Sequence, residues 1–172
     1  MKRILSIILL SAILVSCGSR CEFTNKQFET LECLKGMAIN ATFLDEMRWD
    51  IPHQNWGEKE WDREFKSMKD AGIDTVILIR CGHKRFITYP SDYLVSKENC
   101  YTPPVDLVEM FLRLAEKYGM QFYFGLYDSG KYWHNKEYER ELDISKHVAE
   151  EVWNKYGKYS AFKGWYLNCE IS

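Results

Sequence analysis

The stretch Gly72-Ile73-Asp74-Thr75-Val76-Ile77-Leu78-Ile79 is the clearest indication of the fold, because a predicted helix end is followed at once by a predicted strand. Gly72 suits the left-handed residue that ends a helix. Thr75–Ile79 is a continuous apolar run rich in β-branched residues. Such runs are typical of strands that are buried on both faces of a parallel sheet. The stretch therefore predicts one helix-to-strand step of a parallel sheet.

The same alternation continues on both sides of this stretch. Three further apolar runs are predicted as strands: Met37–Phe43, Phe122–Tyr127 and Gly164–Leu167. Between the runs, apolar residues recur at helical spacing. The first helix ends at Gly72, the second begins at Pro103-Pro104 and ends at Gly119, and the third ends near Gly157. Strands that alternate with amphipathic helices indicate βα units and a parallel sheet.

The fold class that this pattern predicts is α/β, with parallel (β/α) units that form a partial TIM barrel of about four units. The spacing of the strands is compatible with a (β/α)8 barrel, whose eight units take about 250 residues. An open doubly wound sheet is the alternative, although no glycine-rich nucleotide motif follows the first strand. We expect a truncated barrel, because half a barrel exposes two edge strands and an apolar interior.

The N-terminus has the features of a lipoprotein signal peptide. Lys2 and Arg3 precede an apolar run from Ile4 to Val15, which is too short to span a bilayer. The motif Leu14-Val15-Ser16-Cys17 resembles the lipobox of bacterial lipoproteins. That resemblance implies that Cys17 is lipidated and becomes the new N-terminus.

Three segments are therefore expected along the chain. Residues 1–16 are a signal peptide, residues 17–34 a tether, and residues 35–172 the N-terminal half of a glycosidase-like barrel. The residue after the lipobox cysteine is Gly18 rather than the aspartate that marks inner-membrane retention. The expected location is the cell envelope, lipid-anchored, at the outer membrane of a Gram-negative bacterium.

The composition excludes several function classes. Of the 172 residues, 46% are hydrophobic and 28% charged, and the formal net charge is -2. These are values of an ordinary globular chain, so that disorder and a dedicated nucleic-acid-binding role are not expected. Aromatic residues make up 15% of the chain. This share suits a site that stacks on flat ligands, although packing in the core explains most aromatic residues equally well.

Polar and aromatic residues follow the carboxyl end of every predicted strand. In parallel α/β folds functional groups lie at this edge, because the loops converge there. The candidates, in chain order, are Asp45, Glu46, Trp49, Arg80, His83, Tyr127, Asp128, Trp133, Asn168 and Glu170. We expect Asp45, Arg80, Asp128 and Glu170 to gather over one rim.

Three stretches resemble a known family of bacterial lipoproteins. They are Asn55-Trp56 through Trp61, Met68–Leu78 and Gly164–Ile171. The family has no established function and a glycosidase-like TIM barrel, so the resemblance implies that fold. More distantly, Asn168 and Glu170 are similar to the asparagine–glutamate pair of many retaining glycosidases, where the glutamate is the acid/base. Here one residue separates the two, and side chains two apart on a strand point the same way.

The leading hypothesis is a glycoside hydrolase-like, carbohydrate-active lipoprotein that needs no cofactor. Glycoside cleavage requires an acid and a second carboxylate, as nucleophile or as base for water. Glu170 is the candidate acid/base, and Asp128 or Glu46 its partner. In the enzymes that the pair resembles, the nucleophile comes from a seventh strand, which this chain does not supply. We therefore expect an incomplete catalytic domain.

The other candidate residues are predicted to bind the sugar. Asn168 is expected to hydrogen-bond a sugar hydroxyl, and Arg80, His83 and Glu46 to bind the substrate. The aromatic candidates for stacking on sugar rings are Trp49, Tyr127 and Trp133.

Two other functions stay open. One is a non-catalytic glycan-binding lipoprotein of the envelope. The other is a metal-dependent hydrolase that uses His83, Asp128 and Glu170, although no metal-ligand spacing supports it. An oxidising envelope permits a disulfide between Cys81 and Cys100, which would close the loop after the second strand.

Overall fold

The computed structural model describes residues 39–46 and 56–169, so the predicted signal peptide and tether lie outside the described residues. In chain order the elements are β1 (Ala41–Leu44), α1 (Glu58–Asp70), β2 (Thr75–Leu78), β3 (Gly82–His83), β4 (Phe86–Ile87), α2 (Asp92–Glu98), α3 (Leu107–Tyr118), β5 (Gln121–Gly125), β6 (Tyr127–Asp128), α4 (Tyr138–Tyr156) and β7 (Phe162–Tyr166). Within these ranges the structure contains no helix that could span a membrane.

The main sheet has the strand order β1-β2-β5-β7, and every neighbouring pair is parallel. Phe43, Ile77, Tyr123 and Gly164 lie opposite one another across the four strands. The predicted fold class is thereby confirmed: the chain forms parallel (β/α) units in the arrangement of a partial TIM barrel. The strand ends differ from the predicted runs by only a few residues.

The main sheet is strongly curved. β1 and β7 are its outermost strands, and in a flat sheet three strand spacings would separate them by about 14 Å. The ring centroids of Phe43 and Tyr166, which belong to these strands, nevertheless lie 5.2 Å apart. The sheet therefore curls as a barrel wall does. This curvature distinguishes the structure from the open doubly wound sheet that the sequence left as an alternative.

One face of the sheet is buried beneath the helices. Val76, Leu78, Phe122 and Phe124 are fully buried. On the concave face Ile77 is only half-buried, so that the prediction of a strand buried on both faces is wrong for β2. In a complete barrel this concave face is covered, because side chains from the other strands fill the interior.

The helices are held together by aromatic contacts. Trp61 of α1 packs edge-on against Phe111 of α3, with ring centroids 4.7 Å apart, and Phe65 lies 5.7 Å from the same ring. Each of the three rings is almost completely buried. They form an apolar layer between α1 and α3 on the helical side of the sheet.

Helix ends follow local sequence signals. Gly72 and Gly119 adopt left-handed backbone, with φ of 91° and 61°, as predicted for residues that end α1 and α3. α3 begins later than predicted, at Leu107, because the carboxylate of Asp106 accepts a hydrogen bond from the N–H of Glu109 at 2.9 Å. Asp106 is thus the N-cap, since its side chain satisfies a donor that helix geometry leaves free.

The loop that follows β2 contains structure that the sequence did not predict. It holds the short helix α2 and the strands β3 and β4, which form a three-stranded sheet with β6 in the order β4-β3-β6. β3 and β4 are antiparallel, whereas β3 and β6 are parallel. This small sheet extends the main sheet at the carboxyl ends of β2 and β5.

Candidate functional site

The small sheet joins the loops that follow β2 and β5. Because β3 pairs with β6, Gly82 lies opposite Tyr127 and His83 lies opposite Asp128. Lys84 extends the pairing, since its N–H donates to the carbonyl of Asp128 at 3.0 Å. The backbone register therefore brings His83 and Asp128 side by side, from positions far apart in the chain.

Arg80 bridges the ends of three neighbouring strands. It follows β2, and its Nη2 donates to Oδ2 of Asp45, after β1, at 2.9 Å. Its Nη1 donates to Oδ2 of Asp128, in β6 just after β5, at 3.1 Å. Burial lowers the pKa of Arg80, but the hydrogen bonds and charges of both carboxylates outweigh this effect and raise the pKa above its ordinary value. The guanidinium is therefore a permanent positive charge at the rim.

Asp128 is held in its ionised form. Its Oδ1 accepts the N–H of Gly130 at 2.7 Å, and its Oδ2 accepts from Arg80 and lies 2.9 Å from Nδ1 of His83. Burial raises the pKa of Asp128, but the hydrogen bond from Gly130 and the charge and hydrogen bond of His83 outweigh it, helped by Arg80. Its pKa thus lies below the ordinary value, so that Asp128 is a carboxylate at neutral pH rather than a proton donor.

His83 is oriented by this carboxylate. The contact to Asp128 uses Nδ1, so that this nitrogen carries a proton and donates it to the carboxylate. The ring is thereby held in one orientation, with Nε2 as the nitrogen that remains for a ligand hydroxyl. Asp128 therefore fixes the position of the His83 ring.

A cleft of about 460 Å³ lies beside Asp128. Its lining residues are Asp128, Trp133, His134, Lys136, Tyr138, Asn168 and Cys169. The rings of Trp133 and Tyr138 pack edge-on, with centroids 4.8 Å apart. The Nδ2 atom of Asn168 is buried and has no hydrogen-bond partner among the residues described. A buried amide of this kind is ready to donate to a ligand oxygen, since leaving it unbonded is costly.

A buried carboxylate that the sequence did not identify supports the loop after β6. Glu141, in the first turn of α4, is 1% exposed. Its Oε1 accepts the N–H of Ser129 at 2.9 Å, and its Oε2 accepts the Ser129 hydroxyl. Ser129 in turn accepts the N–H groups of Lys131 and Tyr132. In the sequence Glu141 was indistinguishable from the exposed acids around it.

The structure brings together most of the predicted site residues that it describes. Arg80, His83 and Asp128 form one hydrogen-bonded cluster, and Trp133 and Asn168 share the cleft with Asp128. Glu46 is half-buried directly after Asp45. Glu170, Trp49 and Cys17 lie outside the described residues, so that their roles stay predictions.

Tyr127 does not have the role that the sequence suggested. Its side chain is buried, with 2% of the residue exposed, and its hydroxyl donates to the carbonyl of Lys84. Burial raises the pKa of Tyr127, and the contact with Cys100 adds to this effect. With so little of the residue exposed, its ring is not a stacking surface for a sugar. The reason is that Tyr127 lies in β6, where the alternation of side chains directs it into the core.

The predicted disulfide between Cys81 and Cys100 is not formed. Both residues are buried free thiols. The thiol of Cys100 contacts the carbonyl of Lys84 at 3.3 Å and the hydroxyl of Tyr127 at 3.7 Å. Burial raises the pKa of Cys81 well above its ordinary value. In the described ranges, no three His, Cys, Asp or Glu side chains are arranged to hold a metal ion.

The chain is similar to a family of unknown function and to a solved structure. Residues 39–172 match the model of a family described as Domain of unknown function (DUF4434). A crystal structure of a candidate alpha-L-fucosidase from Bacteroides thetaiotaomicron VPI-5482 is 61% identical, with a TM-score of 0.73. The match covers 78% of this chain and 42% of that one, so the chain spans less than half the length of its relative. The fold is thus glycosidase-like.

A second solved structure is more distant. The Thermotoga maritima alpha-L-fucosynthase is 20% identical, with a TM-score of 0.43, over 59% of this chain and 26% of that one. No curated protein matches the chain.

Proposed function

This chain belongs to the family described as Domain of unknown function (DUF4434), and we propose that it binds carbohydrate at the strand-end rim and takes part in cleaving a glycosidic bond. The observation that carries the proposal is the cluster of Arg80, Asp128 and His83 beside the aromatic cleft. The substrate class that we propose is α-L-fucosides, on the basis of the 61% identity with the candidate alpha-L-fucosidase.

The charge state of Asp128 supports a division of roles between two carboxylates. Glycosidases need one protonated carboxyl group and one ionised carboxylate. The lowered pKa of Asp128 suits the ionised role, in which the carboxylate stabilises positive charge at the anomeric carbon or attacks it. Glu170, two residues beyond the cleft residue Asn168, is the proposed acid/base. His83 and Asn168 hydrogen-bond sugar hydroxyls, and Trp133 contacts the apolar face of the ring.

A second candidate function is glycan binding without cleavage. Both carboxylate oxygens of Asp128 already accept hydrogen bonds, one from Gly130 and the other from Arg80 and His83. A carboxylate that is engaged in this way orients its neighbours well, but it is less free to attack an anomeric carbon. This observation favours a site that recognises a sugar rather than one that cleaves it.

Location belongs to the proposal as well. We infer that Cys17 carries lipid and anchors the chain in the envelope, where extracellular glycans reach the rim. The substitution Cys17→Ser should move the protein from the detergent phase to the aqueous phase in phase partitioning of cells that express it. Unchanged partitioning would remove the anchor from the proposal.

The experiment for catalysis compares two variants with the whole chain. We expect release of nitrophenol from 4-nitrophenyl α-L-fucoside, and a loss of at least about 100-fold for Glu170→Gln and for Asp128→Asn, because each removes a group that acts in the transition state. Glu150→Gln, an exposed change on α4, is the control. Equal turnover in Glu170→Gln and the unmodified chain would remove Glu170 from the mechanism.

Calorimetry with L-fucose distinguishes the two functions. Saturable binding of L-fucose without turnover of the fucoside would establish the second candidate. Neither binding nor turnover would overturn both.

A further inference from the structure

A second, smaller pocket is lined by residues of the segment Tyr127–Lys131, which also contributes Asp128 to the cleft. Its volume is about 190 Å³, and Lys84, Arg85, Lys131 and Glu98 supply its charged groups. We call it the basic pocket. Three cations and one carboxylate give its lining a net positive charge. Ligand pockets for whole molecules measure about 300–1,000 Å³, so that this one has the size for a substituent rather than a sugar ring.

Lys84 is held at this pocket by an unusual backbone conformation. Its φ is 54°, in the left-handed region that costs a non-glycine residue about 1 kcal/mol or more. Its side chain lies over Gly130, where an added Cβ would come within 2.8 Å of Cγ of Lys84. Among the described residues its ammonium group has no ion-pair partner. The strained conformation thus presents a cation that has no counter-charge in the part of the chain that the structure describes.

The carboxylate in the basic pocket is already engaged. The Glu98 side chain is only 7% exposed, and its Oε2 lies 3.7 Å from Nζ of Lys131. The same oxygen accepts the hydroxyl of Tyr132 at 3.1 Å, and Oε1 lies 3.9 Å from Nη2 of Arg140. Glu98 is therefore shared by Lys131, Tyr132 and Arg140, and among the described residues it forms no ion pair with Lys84.

The third cation is fixed as well. Nε of Arg85 donates to the carbonyl of Asn99 at 2.8 Å, and the guanidinium lies 4.1 Å from the centre of the Tyr101 ring. These contacts use one of the five N–H donors of the guanidinium. Its remaining donors can bind a ligand without a large loss of side-chain freedom.

We propose that the basic pocket binds a compact oxyanion, a sulfate ester or a carboxylate, that a glycan in the cleft carries. The inference rests on the proposed function for its sugar, and it adds the charge of the substituent. The cleft and the basic pocket share the segment Tyr127–Lys131, since Asp128 lines the cleft and Gly130 lines the basic pocket. Charge-assisted hydrogen bonds from lysine and arginine are the strong contacts by which proteins hold oxyanions.

Calorimetry on the whole chain tests the proposal with three probes at constant ionic strength: sodium sulfate, sodium D-glucuronate and neutral L-fucose. We expect saturable binding of sulfate or of glucuronate above a chloride control, and the tighter of the two identifies the oxyanion. Lys84→Gln should weaken this binding at least about tenfold, since it removes a charge but keeps the aliphatic stem. Lys146→Gln, an exposed change on α4, should leave it unchanged.

Other outcomes separate this inference from the proposed function. If the unmodified chain binds sulfate but not L-fucose, this result would overturn the sugar site and support the basic pocket. The inference would be overturned if the unmodified chain showed no saturable oxyanion binding. It would also be overturned if Lys84→Gln bound the oxyanion with the same affinity as the unmodified chain and had the same melting temperature. Lys131→Gln is an independent second variant, and it should weaken the same binding.

Discussion

Nη1 of Arg80 and Oδ2 of Asp128 lie 3.1 Å apart, although 48 positions separate the two residues in the chain. The contact joins the end of β2 to the strand β6 that follows β5. Because Arg80 also donates to Asp45, one guanidinium holds together the carboxyl ends of three adjacent strands.

Arg80→Met should therefore destabilise the fold, by about 1–3 kcal/mol, since two half-buried carboxylates lose the cation between them. Thermal and urea unfolding measure the change. Arg63→Met, which removes an exposed ion pair with Glu60, is the matched control and should have little effect. Equal stability of the two variants would show that Arg80 has no role in joining the strands.

Asp128 gives the fold a defined dependence on pH. Its pKa is lower in the folded chain than in the unfolded chain, where an aspartate titrates near about 3.9. Its ionisation therefore stabilises the fold above that pH, and this contribution is lost as the pH falls through the lower, folded value. We expect the melting temperatures of the unmodified chain and Asp128→Asn to differ at pH 7 and to converge below about pH 4.

The pH experiment has a matched control in Asp143→Asn, an exposed substitution on α4 that removes one negative charge. A difference between Asp128→Asn and the unmodified chain that stays constant from pH 7 to pH 3 would contradict the lowered pKa.

Gly130 and Gly72 offer a matched pair of substitutions. Both have positive φ, of 67° and 91°, so that alanine is strained at either position. An added Cβ meets nothing within 4 Å at Gly72, whereas at Gly130 it lies 2.9 Å from Cε1 of His83 and 2.8 Å from Cγ of Lys84. We expect Gly72→Ala to lower the free energy of unfolding by about 1 kcal/mol. Gly130→Ala should lower it by more and should also weaken the binding of L-fucose. Identical unfolding and binding in the two variants would contradict the packing at Gly130.

Glu141→Gln tests the support beneath the loop that follows β6. Glutamine keeps the shape but has a single acceptor oxygen, so that one of the two hydrogen bonds from Ser129 is lost inside the core. The expected cost is about 1–3 kcal/mol, measured by urea unfolding. Glu139→Gln, an exposed change in the same helical turn, should change the stability little. Equal midpoints would assign Glu141 no structural role.

The buried thiols predict a labelling pattern. Iodoacetamide should leave Cys81 unmodified in the folded chain, because the residue is 0% exposed and burial raises its pKa well above the usual value. After unfolding, both Cys81 and Cys100 should be modified without prior reduction. Peptide mass spectrometry reads out both results, and a Cys81–Cys100 disulfide peptide would contradict the structure.

The strands and long helices were predictable from sequence because each spans enough residues for its apolar pattern to be recognised. β2 and β5 are short, but their continuous apolar residues and the glycines that precede them mark them clearly. β3, β4 and β6 contain two residues each, and two residues show no periodicity. The small sheet was missed for this reason, and with it the burial of Tyr127.

The site was predictable in part. The rule that parallel strands present functional groups at their carboxyl ends predicted, without any motif, that Arg80 and Asp128 lie close together over one rim, which the structure shows. It could not identify Glu141, because nothing local distinguishes a buried acid in a first helical turn from a solvated one. The helix α2 was not predicted from the sequence either. Ser91 was a usable signal for its start, because the hydroxyl oxygen of this N-cap residue accepts the N–H of Leu94 at 3.0 Å.

The pairing of β3 with β6 bears on how this rim can diversify. In many barrels each loop is an independent module that can be exchanged without affecting its neighbours. Here backbone hydrogen bonds pair residues 80–101 with residues 126–132. An insertion in one segment would therefore shift the register of the other. Grafting a new specificity onto this scaffold would therefore require transplanting the two segments as a unit.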